Sequence, residues 1–340
     1  MGSRTFRLGV DRGKLPAPLP IRRESGKPVT MGSSSRKVLK LTLTVLMIGL
    51  LTFFMVRHRS QLAPIATADP RLLFSFLVLA SLTIWLNGTK LRHISAFFDI
   101  RLKLSESFGL ASITTTFNNV FFKAGSLVTS NYLKREHRLP YMAFVGSLGA
   151  DQLILLFTGM LLGTGFCAHL AWVVSSAFLP LFVLCLLSSG LLGLLIRGTF
   201  VVRPSAILIL DLLARALHAL DRIIKNRALF LKLCGINAGL LITLSIRFYI
   251  VTRILGFNVS AEYCALFAVI MILVSAIPLI QSDIGTRELA VGAFTELAGL
   301  GFEEGLVAAA VDRVFSLGVG MALTLYFRSL LLPSGRQTGF

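Results

Sequence analysis

Apolar runs close to the length of a bilayer-spanning helix recur from Val38 to Phe327, with short basic segments between them. About 20 predominantly apolar residues cross the hydrocarbon core as a helix, and irregular backbone is tolerated at that depth only where protein or water shields it. Hydrophobic residues make up 55% of the 340 positions and charged residues only 15%, against roughly a quarter in soluble domains. The expected fold class is all-α: a polytopic integral membrane helical bundle of about seven to eight spans, with one or two re-entrant or broken helices and a possible internal repeat.

Net charge is +18, which in a soluble chain would point to nucleic acid. Here Lys and Arg gather in the N-terminal stretch and between the apolar runs, the distribution produced by retention of positive segments on the cytoplasmic side. No nucleic-acid partner is expected. Residues 1–36, rich in Arg, Lys, Pro, Gly and Ser, read as a disordered cytoplasmic tail, and Met31 is an alternative start. The run Val38–Val56 reads as an uncleaved anchor with the N-terminus inside. Residues 37–328 form the expected transmembrane domain, and 329–340 a short tail. Cys167, Cys185, Cys234 and Cys264 lie within or beside apolar runs without paired spacing, so free thiols are expected.

Further spans are expected at about Leu72–Asn87, Tyr141–Gly163, Leu170–Ile196 with Pro180 as a kink, Ala228–Val251, Glu262–Ile280 and Gly305–Phe327. Lys90, Arg92, His93, Arg101 and Lys103 read as a basic amphipathic stretch at the cytoplasmic interface. Residues 205–227 mix Asp211, Arg215, His218, Asp221 and Arg222 with leucines and isoleucines, as an interfacial amphipathic helix does. Phe108–Leu133 is apolar but interrupted by Asn118, Asn119, Lys123 and Gly125, and basic clusters flank it on both sides. It is expected to enter the membrane and return to the same side.

Ile277–Glu288, IPLIQSDIGTRE, is a second break with charges at membrane depth, followed by a short apolar piece, Leu289–Leu300. The two breaks look alike: Lys123–Gly125 leads to Asp151 and Gln152 inside a span, and Asp283–Gly285 leads to Asp312 and Arg313 inside another. Repeat-like units are thus read at about 107–163 and 278–327. Repeats built on broken helices characterise secondary transporters. Whether this one is parallel or inverted depends on span parity.

These blocks resemble the membrane flippase-like region of lysylphosphatidylglycerol synthases and stand-alone relatives. FFKAGSLVTSNYLKREHRLP, Phe121–Pro140, is similar to the family's KAGE-like step and its basic exit. Pro278, Gly285, Arg287, Glu288 and Arg313 match its second block more closely. Ser126 and Thr129 stand where the family prefers Glu and Arg, and the early proline is missing. The resemblance implies movement of a phospholipid or a polyprenyl- or glyco-lipid between leaflets. The partner it implies is a membrane lipid, anionic, aminoacylated or polyprenyl-linked, with a lipid-modifying enzyme as a further one. The alternative is an accessory protein that presents a lipid to a glycosyltransferase or synthase without transporting it.

The substrate-binding candidates are Arg287, Glu288, Asp283, Gly285, Lys123, Gly125, Arg313, Asp312, Asp151 and Asn119. Arg287 offers a planar fork for a phosphate and Glu288 an acceptor for an amine or proton, although Asp283, four residues before Arg287, is also a structural partner for it. Asp312, Arg313 and Asp151 sit inside spans, where a charge must face protein or a water-filled cavity. Lys123 beside Gly125 either meets a headgroup or snorkels to the interface. Asn118 and Asn119 are suited to satisfying freed backbone. His, Ser and Cys occur in no catalytic spacing, so no enzyme activity, cofactor or metal is expected.

Overall fold

The computed structural model describes residues 62–120, 123–173, 176–198, 208–276, 286–297 and 301–328. The basic tail, the Val38–Val56 run, the break at 277–285 and the tail at 329–340 lie outside the described residues. Ten α-helices and no strands are present among the described residues: α1 Pro70–Phe97, α2 Leu104–Val120, α3 Ala124–His137, α4 Tyr141–Val173, α5 Leu179–Arg197, α6 Leu208–Lys225, α7 Arg227–Ile254, α8 Ala261–Ala276, α9 Thr286–Leu297 and α10 Phe302–Tyr326. Five of them, α1, α4, α5, α7 and α10, are long and apolar enough to cross a membrane, and α8 is a shorter apolar helix. The chain is a multi-pass helical membrane protein.

Helix boundaries follow local chemistry. Asp69 caps α1 by accepting from the Arg71 amide at 2.8 Å, and Asn226 caps α7 by accepting from the Leu229 amide at 3.0 Å. Pro180 does not kink a span. It stands in the first turn of α5, where a missing N–H costs nothing, and α4 ends at Val173 before it. The apolar piece expected at Leu289–Leu300 begins earlier, as α9 from Thr286. α1 runs on to Phe97, so Lys90 is buried within it rather than lying at an interface.

α2 and α3 form a hairpin. At its open end Glu106 accepts from the Tyr132 hydroxyl at 3.0 Å and meets His137 Nε2 at 2.7 Å, so the segment leaves where it entered. At its closed end Asn118 spans the break, its Oδ1 accepting from the Ser126 amide and its Nδ2 donating to Ser126 Oγ, both at 3.2 Å. Lys123, in the left-handed region at φ 51°, makes the turn. Between the two ends the hydroxyls of Thr114 and Thr129 share a hydrogen bond. Gly125 lets the backbones touch there, because a Cβ would overlap the Thr114 carbonyl.

Two runs of four helices share one order of parts. α1 and α7 each contain 28 residues and pack against each other. α1 packs on α2 as α7 packs on α8, and α2 rests on α10 as α8 rests on α4. Gly320 of α10 faces Thr116 of α2, while Gly159 of α4 faces Ile272 of α8. α1 and α7 are antiparallel, since Thr83 of α1 meets Arg247 of α7 whereas Lys90, later in α1, meets Asn237, earlier in α7.

α5 and α6 lie outside this correspondence. The apolar face of α6, including Ala219, Leu220, Ile223 and Ile224, is buried; Leu220, Ile223 and Ile224 pack with Ala150, Ile154, Leu229 and Leu233. Gly146 of α4 permits the approach, for a Cβ there would meet the Ala216 carbonyl oxygen at 2.3 Å.

Gly125→Val should shift the α2–α3 hairpin and destabilise the protein by about 1–3 kcal/mol, the usual range for overpacking. A lowered thermal midpoint in detergent is the expected readout, and no side-chain truncation at Thr114 should restore it, because the overlap is with its backbone.

Candidate functional site

Among the described residues three ion pairs are buried between the helices. Arg247 of α7 grips Asp312 of α10 with two parallel hydrogen bonds, Nε to Oδ1 at 2.6 Å and Nη2 to Oδ2 at 3.0 Å. Its Nη1 reaches Thr83 Oγ1 at 3.4 Å, and the guanidinium lies 5.6 Å from the ring centre of Phe76. These are the fork geometry and aromatic contact that suit arginine to a dry site.

Arg313, the next residue of α10, points to a different neighbour. Its Nη1 donates to Glu288 Oε1 in the first turn of α9 at 2.6 Å, and its Nη2 to the main-chain carbonyl of Asn119 at 3.5 Å. Arg313 thereby joins the closed end of the α2–α3 hairpin to the start of α9, the two places where the sequence breaks. Both side chains of the Arg313–Glu288 pair are about 5% exposed or less.

The third pair joins Lys90 of α1 to Asp151 of α4 at 2.9 Å, with Asn237 Oδ1 of α7 accepting from the same ammonium at 3.3 Å. Asp151 Oδ1 and Asn237 Nδ2 are buried and find no hydrogen-bond partner among the described residues. Lys90 and Arg247 each occupy the twenty-first position of their helices, and Asp151 and Asp312 each the eleventh of theirs. Two equivalent frames thus each hold a cation against an acid.

Of the sequence candidates, Glu288, Arg313 and Asn119 come together, and Asp312 lies beside them in the chain. Asp151 belongs to the separate Lys90 centre. Gly125 is buried in the hairpin contact, and Lys123 is exposed at the turn. Asp283, Gly285 and the side chain of Arg287 lie outside the described residues. Lys90 and Arg247 were absent from the candidates. The signal for Arg247 was a lone arginine within the Ala228–Val251 run, and for Lys90 a cation only three residues beyond the expected end of its span.

The arrangement contains opposite charges in pairs and several hydrogen-bonding groups at membrane depth, without a nucleophile–base pair. Among the described residues no cluster of His, Cys, Asp and Glu has the geometry of a metal site.

Arg247→Ala should cost about 3–5 kcal/mol, because it strands the Asp312 carboxylate in a dry site. Arg247→Met combined with Asp312→Leu should recover most of that loss in a thermal melt.

The family model described as "Lysylphosphatidylglycerol synthase TM region" matches residues 38–324. No curated protein and no solved structure matches the chain.

Proposed function

We propose, from the premise that the chain belongs to the lysylphosphatidylglycerol synthase transmembrane-region family, that it translocates a phosphate-bearing lipid between leaflets. Family membership supports a membrane-lipid role; the translocation step is our reading of the site. The observation that carries it is the meeting of both sequence breaks at Arg313, through Glu288 and Asn119. Broken helices that meet within a bundle are where transporters place polar cargo. An arginine fork there can exchange a carboxylate for a phosphate, while acyl tails stay in lipid.

We read the two four-helix runs, α1–α4 and α7–α10, as an inverted repeat. Equivalent helices that pack antiparallel are related by a two-fold axis across the helices, hence in the plane of the membrane. The hairpin α2–α3 then opens to one face, and its counterpart α8–α9 to the other. The substrate classes in view are anionic, aminoacylated and polyprenyl-linked lipids, and the role is transport rather than catalysis.

Charge distribution supports an orientation in the inner, cytoplasmic membrane. The end where α1 finishes and α4 and α7 begin carries Arg101, Lys103, Lys134, Arg135, Arg138, Arg222, Lys225 and Arg227. The opposite end carries Asp69, Glu262, Glu296, Glu303 and Glu304 against Arg71 and Arg253. The basic end is cytoplasmic by the positive-inside rule, the side on which the sequence reading also puts the N-terminus. Cysteines placed at Ser105 and Lys134 should both react with an impermeant reagent from the cytoplasmic face. Labelling from opposite faces would refute the orientation of the hairpin.

Purified protein in liposomes should exchange a fluorescent anionic phospholipid between leaflets. Arg313→Gln with Glu288→Gln removes both buried charges, so the protein should keep its thermal stability to within about 1–2 kcal/mol while exchange is lost. Full exchange by the double variant would make this pair scaffolding. Lipid binding without exchange by the unaltered protein would favour the presenting role instead.

A further inference from the structure

The two equivalent cation–acid pairs differ in the one property that matters for coupling. Arg247 holds both oxygens of Asp312, and their side chains are 6% and 1% exposed. A guanidinium keeps its proton at any pH a protein meets, so this pair is fixed. Lys90 touches one oxygen of Asp151, and these side chains are 11% and 15% exposed. An ammonium is a point charge on a flexible stem and can turn to another acceptor. The other oxygen of Asp151 and the Asn237 amide nitrogen are buried and have no partner among the described residues, which marks a centre equipped for a further hydrogen-bonding group.

We infer that Lys90 and Asp151 form the proton-coupling site of the translocator, taking up one proton with each anionic lipid phosphate. This rests on the translocator reading above. As the phosphate leaves Arg313 and reaches this second centre, the Lys90 ammonium turns from Asp151 Oδ2 to a phosphate oxygen, and the Asn237 amide donates to the same group. Asp151 then takes a proton from hydronium at the basic end, forming an O–H bond and releasing water. No bond within the lipid forms or breaks. For an anionic lipid the charge balance favours a compensating proton: an ion pair plus one phosphate anion leaves a net negative charge at membrane depth, and one proton restores neutrality. Lys90 lies seven residues before the end of α1, about 10 Å from that face at 1.5 Å per residue.

Other charged groups on the surrounding helices are placed elsewhere. On α1, Arg92 and His93 follow Lys90, and His93 lies in the field of Lys232 of α7. On α6, Asp221 pairs with Lys225 at 2.8 Å and Arg222 lies over the Phe97 ring. Glu106 of α2 is engaged by His137 of α3, where Arg135 pairs with Glu136 and Lys134 shares the last turn. His169 of α4 pairs with Glu262 of α8 at the far end, and Arg197 stands in the last turn of α5. On α10, Arg313 is held by Glu288, and Glu303 and Glu304 lie in the first turn at the far end. His93 and Lys232 are therefore the titratable neighbours whose influence a test must separate.

The test uses the full chain in detergent with dioctanoyl phosphatidylglycerol in weakly buffered solution, and reads proton uptake with an indicator dye. About one proton per lipid bound is expected near neutral pH for the unaltered protein and for His93→Gln. Asp151→Asn should bind lipid with no uptake. Lys90→Arg, which offers a fixed fork to both carboxylate oxygens, should also lose uptake, and it keeps the charge balance if Asp151→Asn fails to fold. In liposomes a pH difference of one unit should change lipid exchange several-fold, and Lys90→Arg should remove that response. Exchange that ignores the pH difference, or uptake that survives in Lys90→Arg, overturns the coupling and leaves the translocator reading standing. Binding with no exchange in any condition overturns the translocator reading, and the coupling with it.

Discussion

A charge inside hydrocarbon is tolerated only when another charge or a set of dipoles meets it, and this requirement fixes which helices of the protein must touch. Asp312 and Arg313 are consecutive on α10 and face different neighbours, so α10 is tied at once to α7 through Arg247 and to α9 through Glu288. Lys90 ties α1 to α4 in the corresponding place. Apolar packing alone selects poorly between helices in lipid, where tails are as apolar as leucine, so polar ties and close backbone contacts carry much of the specificity. The large apolar cluster of Phe76, Phe248, Phe267 and Phe294 then fills the space the ties define, with Phe248 and Phe267 edge to face at 5.2 Å.

The sequence was informative where backbone chemistry is local. The hairpin α2–α3 was legible because Asn118, Lys123 and Gly125 interrupt an apolar run between two basic clusters, and Asn118 does satisfy the broken backbone. Pro180 misled because a proline is equally at home in a first turn, and only the end of α4 at Val173 decides between the readings. The family likeness rested on Phe121–Pro140 and, more closely, on Pro278, Gly285, Arg287, Glu288 and Arg313, and the family model covers the span in which they lie.

What composition could not reveal was pairing across the bundle. Lys90 looked like one more interfacial cation because it stands near Arg92 and His93, and nothing local distinguishes a lysine that turns inward. Its partner is 61 residues away, and Arg247 is 65 residues from Asp312, so both ties are products of tertiary packing. The relative position of the acids was visible as Asp151 and Asp312 following the two breaks, yet their cations precede those breaks. A search for likeness that begins at the break therefore finds only half of each frame.

The seat of α2 has a consequence for how the protein is made. Three helices approach it through glycine: α1 at Gly88 against Ser107 and Phe108, α3 at Gly125 against Thr114, and α10 at Gly320 against Thr116. Thr324 of α10 completes the seat by donating to the Thr116 hydroxyl across 208 residues of chain. During synthesis α2 leaves the ribosome long before α10 exists, so its threonine face must wait in the membrane without the wall that later covers it. The hairpin therefore gains its last wall, the Thr116–Thr324 contact, only once the final helix has been made.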